Sequence, residues 1–478
     1  FKINFLVLNK RVQIIDQKIL IPINHGLSSR YILRSDLLPS LLSNQSINII
    51  VAVEVPSEFK SIPENYGSRV SIMQTPRSTN KHSIILKFYK YIKLIQMLGM
   101  PRDYRLSAIW VKRQLFKKDI NYSIIKRVFV LLMATLHRNF FLFRYILRLM
   151  NKIILLEENY TLFLKNNDID KVLLDGLNSF QPVNAKWISA ARKLNINTIT
   201  IVTNWDHPTS RGYEILLSDY YLVWGKSMHD EMVEYHDSSN DRIIITGSII
   251  FDMYAKDSYI LSSNIINNRI KNELPRKYVL FLSHSPYYPY NLQLIRFISK
   301  ILNNRSKLVV RLHPLFTDKS AENELELHKE LEKNNPNIIY VYPNSSSDSL
   351  SGDMDFNEVQ LSSSMVANAS IVINCLSTML LDCMINKRPT INIGFDWCEN
   401  KSLITPLSIA EHRAHLRRVV NLGFSYTAHS KAELKSLLLK DINEKKNKNS
   451  IINDIITNEC GQITGNVAKD ISDKIAEL

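Results

Sequence analysis

The chain has 478 residues, too many for one ordinary core and enough for two domains of about 200 residues each. Hydrophobic residues make up 45%, which excludes a disordered chain, and the four cysteines (Cys375, Cys383, Cys398, Cys460) lack metal-ligand spacing, which argues against a disulfide framework or zinc site and for a reducing compartment. The formal charge of +15 is concentrated: between Lys81 and Leu155, 16 Lys or Arg stand against only Asp103 and Asp119, a net +14, so one surface is expected to meet something negative.

In chain order, KILIPIN (18–24) reads as a buried strand, YILRSDLLPSLL (31–42) as a helix and INIIVAVEV (47–55) as a second strand. A basic stretch follows. HSIILKFYKYIKLIQML, LSAIWVKRQLFKK and SIIKRVFVLLMATLHRNFFLFRYILRLM read as helices with Lys or Arg interleaved among aliphatic and aromatic residues. The longest uncharged run, VFVLLMATL, is far below the ~20 residues of a spanning helix, so these helices are not expected to cross a bilayer. The expectation is a basic helical insert (81–165) whose 81–155 helices lie on an anionic membrane or a lipid-linked acceptor. No signal-peptide pattern opens the sequence, which begins at Phe1.

The strand pattern returns at KVLLDG (171–176), TITIVTN (198–204), DYYLVWG (219–225) and RIIITG (242–247), with a helix over NAKWISAARKLN (184–195). Beyond the polar, Asn-rich segment 258–275, a second series runs through KYVLFLSHS (277–285), KLVVRLHP (307–314), NIIYVYP (337–343), SIVINCLS (370–377) and RPTINIGF (388–395). Strands alternating with helices predict an α/β fold: two doubly wound, Rossmann-like halves, residues 1–257 and 258–460, around a central cleft.

Ligands of open α/β sheets bind beyond the carboxyl ends of the strands, so polar residues there are the functional candidates. In INHGLSSRY (23–31), Gly26 permits a tight turn, Ser28 and Ser29 are expected to cap the next helix, His25 is a candidate base or a solvated histidine, and Arg30 is assigned to the acceptor side. Asp175 in LLDGLNS caps a helix or acts as a general base. In IVTNWDHPTSRGY (201–213), Asp206 and His207 follow a strand directly, and Trp205 walls an acceptor site or packs as a buried indole. In VVRLHP, Arg311 and His313 fall on one face and suggest a phosphate clamp, with a structural histidine as the competing reading. In IVINCLSTMLLDCM, Ser377 and Thr378 open a helix whose free amides suit an anion, and Asp382 suits a sugar or ribose hydroxyl. FLSHSP adds Ser283 and His284. There is no P-loop, GxGxxG or HExxH, glycine numbers only 12, and the DMD at 353–355 reads as a solvated loop.

The segments TNWDHPTSRGY…SDYYLVWGKSMHDEMVEYH…RIIITGSIIFD, with RLHP and CLSTMLLDCMINKRPTINIGFD, resemble bacterial GT-B-type glycosyltransferases of surface-polysaccharide assembly. That group is related to CDP-glycerol glycerophosphotransferases, Kdo and sialic-acid-type transferases and UDP-GlcNAc 2-epimerases. The resemblance covers residues 18–55 and 170–476 and leaves out the insert. It implies a nucleotide-sugar donor on the C-terminal half, held by Arg311, His313, Ser377 and Thr378, with Ser283, His284 and Asp382 beside them and Ser248 at the hinge. It implies an acceptor on the N-terminal half near Trp205, His207, Ser28 and Arg30, and a closing helix within 461–478 that returns to that half. No metal or further cofactor is expected. The chain departs from the sialyltransferase-like groups, which show paired acids before Gly, in having Leu174, Asp175, Gly176. The base therefore stays open among Asp206, Asp175 and His25, in that order. The expected activity is sugar transfer to a polysaccharide or lipid-linked acceptor at the cytoplasmic face of a bacterial membrane. The alternatives are a CDP-glycerol-type polyol-phosphate transferase, a sugar-nucleotide 2-epimerase and, outside enzymes, a nucleic-acid-binding protein. The aliphatic residues between the basic ones favour membrane over nucleic acid.

Overall fold

The computed structural model describes residues 17–24, 26–59, 65–78, 83–100, 124–179, 181–210, 212–303, 305–344, 354–398, 406–440 and 449–478. Largely apolar runs of three to seven residues bounded by polar turns form two sheets. The first holds β1 (Gln17–Pro22), β2 (Ile47–Val53), β3 (Val70–Gln74), β4 (Lys171–Asp175), β5 (Asn197–Ile201), β6 (Tyr220–Val223) and β7 (Ile243–Ile245), in the order β3-β2-β1-β4-β5-β6-β7. The second holds β8 (Tyr278–Leu282), β9 (Lys307–Arg311), β10 (Ile338–Val341), β11 (Ile371–Asn374), β12 (Thr390–Ile393) and β13 (Tyr426–Ala428), in the order β10-β9-β8-β11-β12-β13. The recorded strand pairings are all parallel. Ile19, Leu20 and Ile21 are all fully buried, as a parallel strand covered on both faces requires. Each order reverses at the sheet's first strand. Ile19 pairs with both Ile49 and Lys171, and Leu280 with both Val309 and Val372, so β1/β4 and β8/β11 are the switch points where such sheets open crevices.

The helix expected over 31–42 is split into a π-helical turn, Ser29–Leu33, and a helix, Leu37–Ser43. The Ser35 hydroxyl causes the break: it donates to the Tyr31 carbonyl (2.5 Å) and accepts from the Leu37 amide (3.2 Å), competing with the backbone ladder. Nor does Ser28 cap this turn with its side chain.

Between β3 and β4 the described residues include the helix Glu158–Asn166 and, before it, the helices Ser83–Leu98, Ile124–Asn139 and Phe141–Ile154; the stretch LSAIWVKRQLFKK is outside the described residues. Ile124–Asn139 and Phe141–Ile154 meet at an angle of 111° at Phe140, where neither Pro nor Gly marks a break. Arg144 supplies a reason. Its guanidinium donates to the final carbonyls of the preceding helix, at His137 and Arg138 (3.1 Å each), and to Asp237 (2.6 and 3.0 Å), so one side chain caps one helix and pins the next.

A single apolar cluster runs from β1, β2 and β6 through Trp224, Phe251 and the C-terminal helices to Leu280, Val309 and Leu381 of the second half. The helix Val467–Glu477 returns to the first half, where Lys171 Nζ donates to the Ile475 carbonyl (2.8 Å) and Ser472 Oγ to that of Ser40 (3.1 Å). Asp252 fixes its entry by accepting from the amides of Thr464, Gly465 and Val467 at 2.7–2.8 Å.

Gly461 closes this seam. It sits at φ +80°, and a Cβ there would lie 2.5 Å from the Gly247 Cα and from the Trp224 carbonyl. Both obstacles are backbone. Gly461→Ala is therefore expected to cost about 3 kcal/mol or more, from left-handed strain plus overlap. A denaturant midpoint equal to wild type would show that the crossing relaxes freely.

Candidate functional site

The loops beyond the carboxyl ends of the two sheets touch each other. Thr378 Oγ1, after β11, donates to Asn204 Oδ1, after β5 (3.4 Å). Thr209 Oγ1 pairs with His415 Nδ1 (2.7 Å), and Arg30 Nη1 reaches Met354 Sδ (3.5 Å). The strand ends at the two switch points thus face each other, which is where sheets of this kind bind their ligands.

On the first side, Asp175 ends β4 and is fully buried. Its carboxyl accepts from Gln181 Nε2 (3.1 Å) and Asn184 Nδ2 (3.3 Å). Gln181 also donates to Ser28 Oγ (3.2 Å), and Asn24 donates to the side-chain oxygens of both amides (3.3 and 3.2 Å). Ser28 is therefore part of a polar knot across β1/β4 and not a helix cap. Burial raises the Asp175 carboxyl to about 8, against the pull of the two amide donors. A second acid, Glu214, is missing from the sequence reading. It is fully buried, accepts from the amides of Asn178 and Ser179 (3.3 Å each), and burial raises it to about 8 as well. Its signal was faint: one acid inside the otherwise apolar GYEILLS.

Both carboxyls are protonated in the fold well above their ordinary range, so their contribution to stability is complete near pH 4 and is lost as pH rises through about 8. The slope is on the order of 1 kcal/mol per pH unit for each acid inside that window. Asp175→Asn, which does not titrate, should flatten the decline in melting temperature between pH 5 and 8. An unchanged pH profile would place the proton elsewhere.

The stretch 201–213 is mainly a bracket between the halves. Trp205 is 1% exposed, its indole N–H donates to Glu459 Oε2 (2.7 Å), and its ring meets His415 edge-on at 5.0 Å. The wall of an open acceptor site is thus corrected to a buried indole in the seam. His207 is buried beside Gly176, so it does not line the crevice. Asp206 is half-buried and accepts from Ser210 Oγ (2.6 Å), which closes the short helix His207–Ser210. His25 lies outside the described residues.

On the second side the phosphate clamp is corrected. Arg311 is 4% exposed and its guanidinium is consumed internally: Nε donates to Ser362 Oγ (3.2 Å), Nη1 to the Tyr342 carbonyl (3.0 Å) and Nη2 to the Glu358 carboxylate. His313 lies beyond the end of β9, so strand alternation does not govern it, and its Nδ1 accepts from the Leu315 amide (3.1 Å), leaving Nε2 to carry the proton. Burial, then the charge of Arg30, lowers the His313 imidazole to about 4. Burial, then His313 and Arg413, lowers His284 to about 3. Both rings are neutral hydrogen-bonding groups at pH 7, not cations.

The cations come from elsewhere. Arg30, on the π-helical turn, has its charge felt by His313 and Asp382, so it belongs with the second half and not with an acceptor side. Arg413, which sequence reasoning passed over, faces His284 from the N-cap of the helix Ala414–Asn421. A cation there opposes the helix dipole, and that anomaly was its legible signal. Ser283 Oγ accepts from the His313 amide (2.9 Å). Ser377 is exposed and donates to Asn374 Oδ1 (2.8 Å) ahead of the helix Met379–Ile385. Asp382 is buried, and its Oδ1 accepts from Tyr254 Oη (2.6 Å) and Ser363 Oγ (3.1 Å), joining the segment after β7 to the helices of the second half. Ser248 is buried at the same joint, with its amide bonded to the Cys460 carbonyl (2.9 Å).

No family model and no curated protein matches the chain. Solved structures do. S. aureus MnaA, in a co-structure with UDP, is 11% identical, covers 96% of this chain and 96% of its own, and gives a TM-score of 0.51. UDP-GlcNAc 2-epimerase from Neisseria meningitidis bound to UDP-GlcNAc is 11% identical, covers 97% and 100%, and gives 0.50. The calicheamicin glycosyltransferase CalG4 is 11% identical over 97% and 98%, at 0.48. At 11% identity and TM-scores of 0.50 and 0.51, what the first two share with this chain is the fold, the two-domain α/β architecture of the GT-B type.

Proposed function

We propose that the chain is a glycosyltransferase that moves a sugar from a nucleotide-sugar donor to a polysaccharide or lipid-linked glycan at the inner face of a bacterial cytoplasmic membrane. The observation that carries this reading is the junction of Arg30 with His313, Asp382 and Met354, which puts a guanidinium from the first half against the strand ends of the second. A nucleoside diphosphate leaving group needs that arrangement. As the bond between the anomeric carbon and the phosphate oxygen breaks, Arg30 and Arg413 meet the charge gained by the phosphate, and the neutral rings of His284 and His313 with Ser377 and Thr378 add hydrogen bonds. The acceptor hydroxyl forms the new bond to carbon and yields its proton to a carboxylate, for which Asp206, half-buried at the end of the β5 loop, is the first choice. The same reading expects no bound metal. The domain division at residues 257 and 460 belongs to the same proposal.

A second reading, a sugar-nucleotide 2-epimerase, is favoured by the buried acids Asp175 and Glu214, whose raised proton affinity suits transfer of a proton at carbon. One experiment separates the two. Nucleotide sugars that stabilise the protein thermally are incubated with it in D2O. The transferase reading expects transfer to glycan acceptor with no deuterium entering the donor sugar. Deuterium at the sugar's C2 without acceptor would establish the epimerase, and glycerol phosphate passed from CDP-glycerol to the acceptor with release of CMP would establish the polyol-phosphate alternative.

A further inference from the structure

We propose that the bent helix pair Ile124–Asn139 and Phe141–Ile154 is an interfacial anchor that lies in the headgroup layer of an anionic bilayer and holds by apolar side chains more than by charge. Of the large hydrophobic residues exposed among the described residues, more than half fall between Ile125 and Leu156. Phe141 is 59% exposed, Leu142 68% and Ile153 78%, with Phe129, Leu132 and Ile146 also open. Single exposed leucines are ordinary, whereas a continuous face of them marks an interaction surface.

The opposite face is already occupied. Leu147 and Asn151 are buried, Arg144 is bonded to Asp237, and Arg148 stands over the Tyr213 ring at 4.4 Å and 3.8 Å from Asp237. Two of the basic residues that suggested an electrostatic surface therefore point inward, and among the described side chains those that face outward are mainly apolar, with Arg138 and Lys152 exposed among them.

Three features select lipid as the occupant. The pair contains no Asp or Glu, so its charge complements anionic headgroups. A second copy meeting this face about a two-fold axis would set its cations against themselves. Nucleic acid finds few donors on an aliphatic and aromatic face. No single described helix is long and apolar enough to cross the bilayer; these two pass that test only as a pair, bent by 111°, and the 14-residue arm alone spans only about 21 Å. With one face packed on protein, the pair lies in the membrane plane. The inference deepens the membrane-side acceptor proposed above and rests on that reading for its purpose alone, since lipid binding is measured without donor or acceptor.

The test uses the full chain and vesicles of phosphatidylcholine, with and without phosphatidylglycerol, in co-sedimentation at low and high salt. Wild type is expected to prefer the anionic vesicles and to keep part of its binding at high salt. The double variant F141S/L142S should bind at least about tenfold more weakly, and R138Q/K152Q about fivefold more weakly per charge at low salt only. Phe141→Trp, a mild change, should show quenching of its fluorescence by brominated lipid. Any of four results overturns the proposal: no vesicle binding by wild type, wild-type binding by F141S/L142S, no quenching of Phe141→Trp, or a dimer in sedimentation velocity that F141S/L142S abolishes. Failure here with sugar transfer intact removes the anchor and leaves the proposed reaction standing; binding here without any nucleotide-sugar recognition does the reverse.

Discussion

Arg30→Ala is expected to weaken donor binding about thirty- to hundredfold, a loss of about 2–3 kcal/mol for charge-assisted hydrogen bonds to a diphosphate. The reason is that Arg311 is unavailable: its donors end on Glu358, Ser362 and Tyr342. With His284 and His313 held neutral by burial, the crevice relies on Arg30 and Arg413 for positive charge. Arg30→Lys should recover part of the loss, because a lysine restores the charge without the planar fork. Calorimetry on the stabilising nucleotide checks this. Arg311→Ala offers the contrast: it strands the Glu358 carboxylate, 5% exposed in its side chain, and is expected to lower stability by about 3–5 kcal/mol. Equal donor affinity in wild type and Arg30→Ala would remove Arg30 from the site.

Asp206→Asn is expected to lower kcat about 100- to 10,000-fold with KM little changed, the range for losing a positioned general base. The substitution keeps an oxygen for Ser210 Oγ, so the short helix it closes, and with it the melting temperature, should persist. The pH profile adds a readout that a structural role does not move: the acid limb of kcat should vanish in the variant. If turnover stays at the wild-type level while Asp175→Asn is inactive, the base is the buried acid of β4, and the acceptor must enter beneath the Gln181–Asn184 knot.

The two sheets were legible because parallel strands buried on both faces read as short apolar runs between polar turns, and VLLD, ITIV and VINC each stop where the crevice opens. The site was legible only as a set of strand ends. What the side chains there do depends on partners remote in the sequence: Arg311 meets Glu358 from 47 residues away, and Trp205 meets Glu459 from 254. No local pattern encodes such pairs. Arg30 was placed with the first half by its position and lies against the second because the π-helical turn carries it across. The bend at Phe140 was invisible for a similar reason, since Arg144 makes it by gripping both Asp237 and the helix before it. Composition does not show which way an arginine turns either: Arg144 and Arg148 face the protein, and among the described side chains between Ile125 and Leu156 the exposed ones are chiefly apolar.

The most direct measurement is a structure of the protein with the nucleoside diphosphate, among UDP, CDP, GDP and ADP, that raises its melting temperature most. Density is expected between the halves, with the diphosphate within hydrogen-bond reach of Arg30 and of the amides around Ser377 and Thr378. Stabilisation by none of the four, or a diphosphate bound away from Arg30, would contradict it.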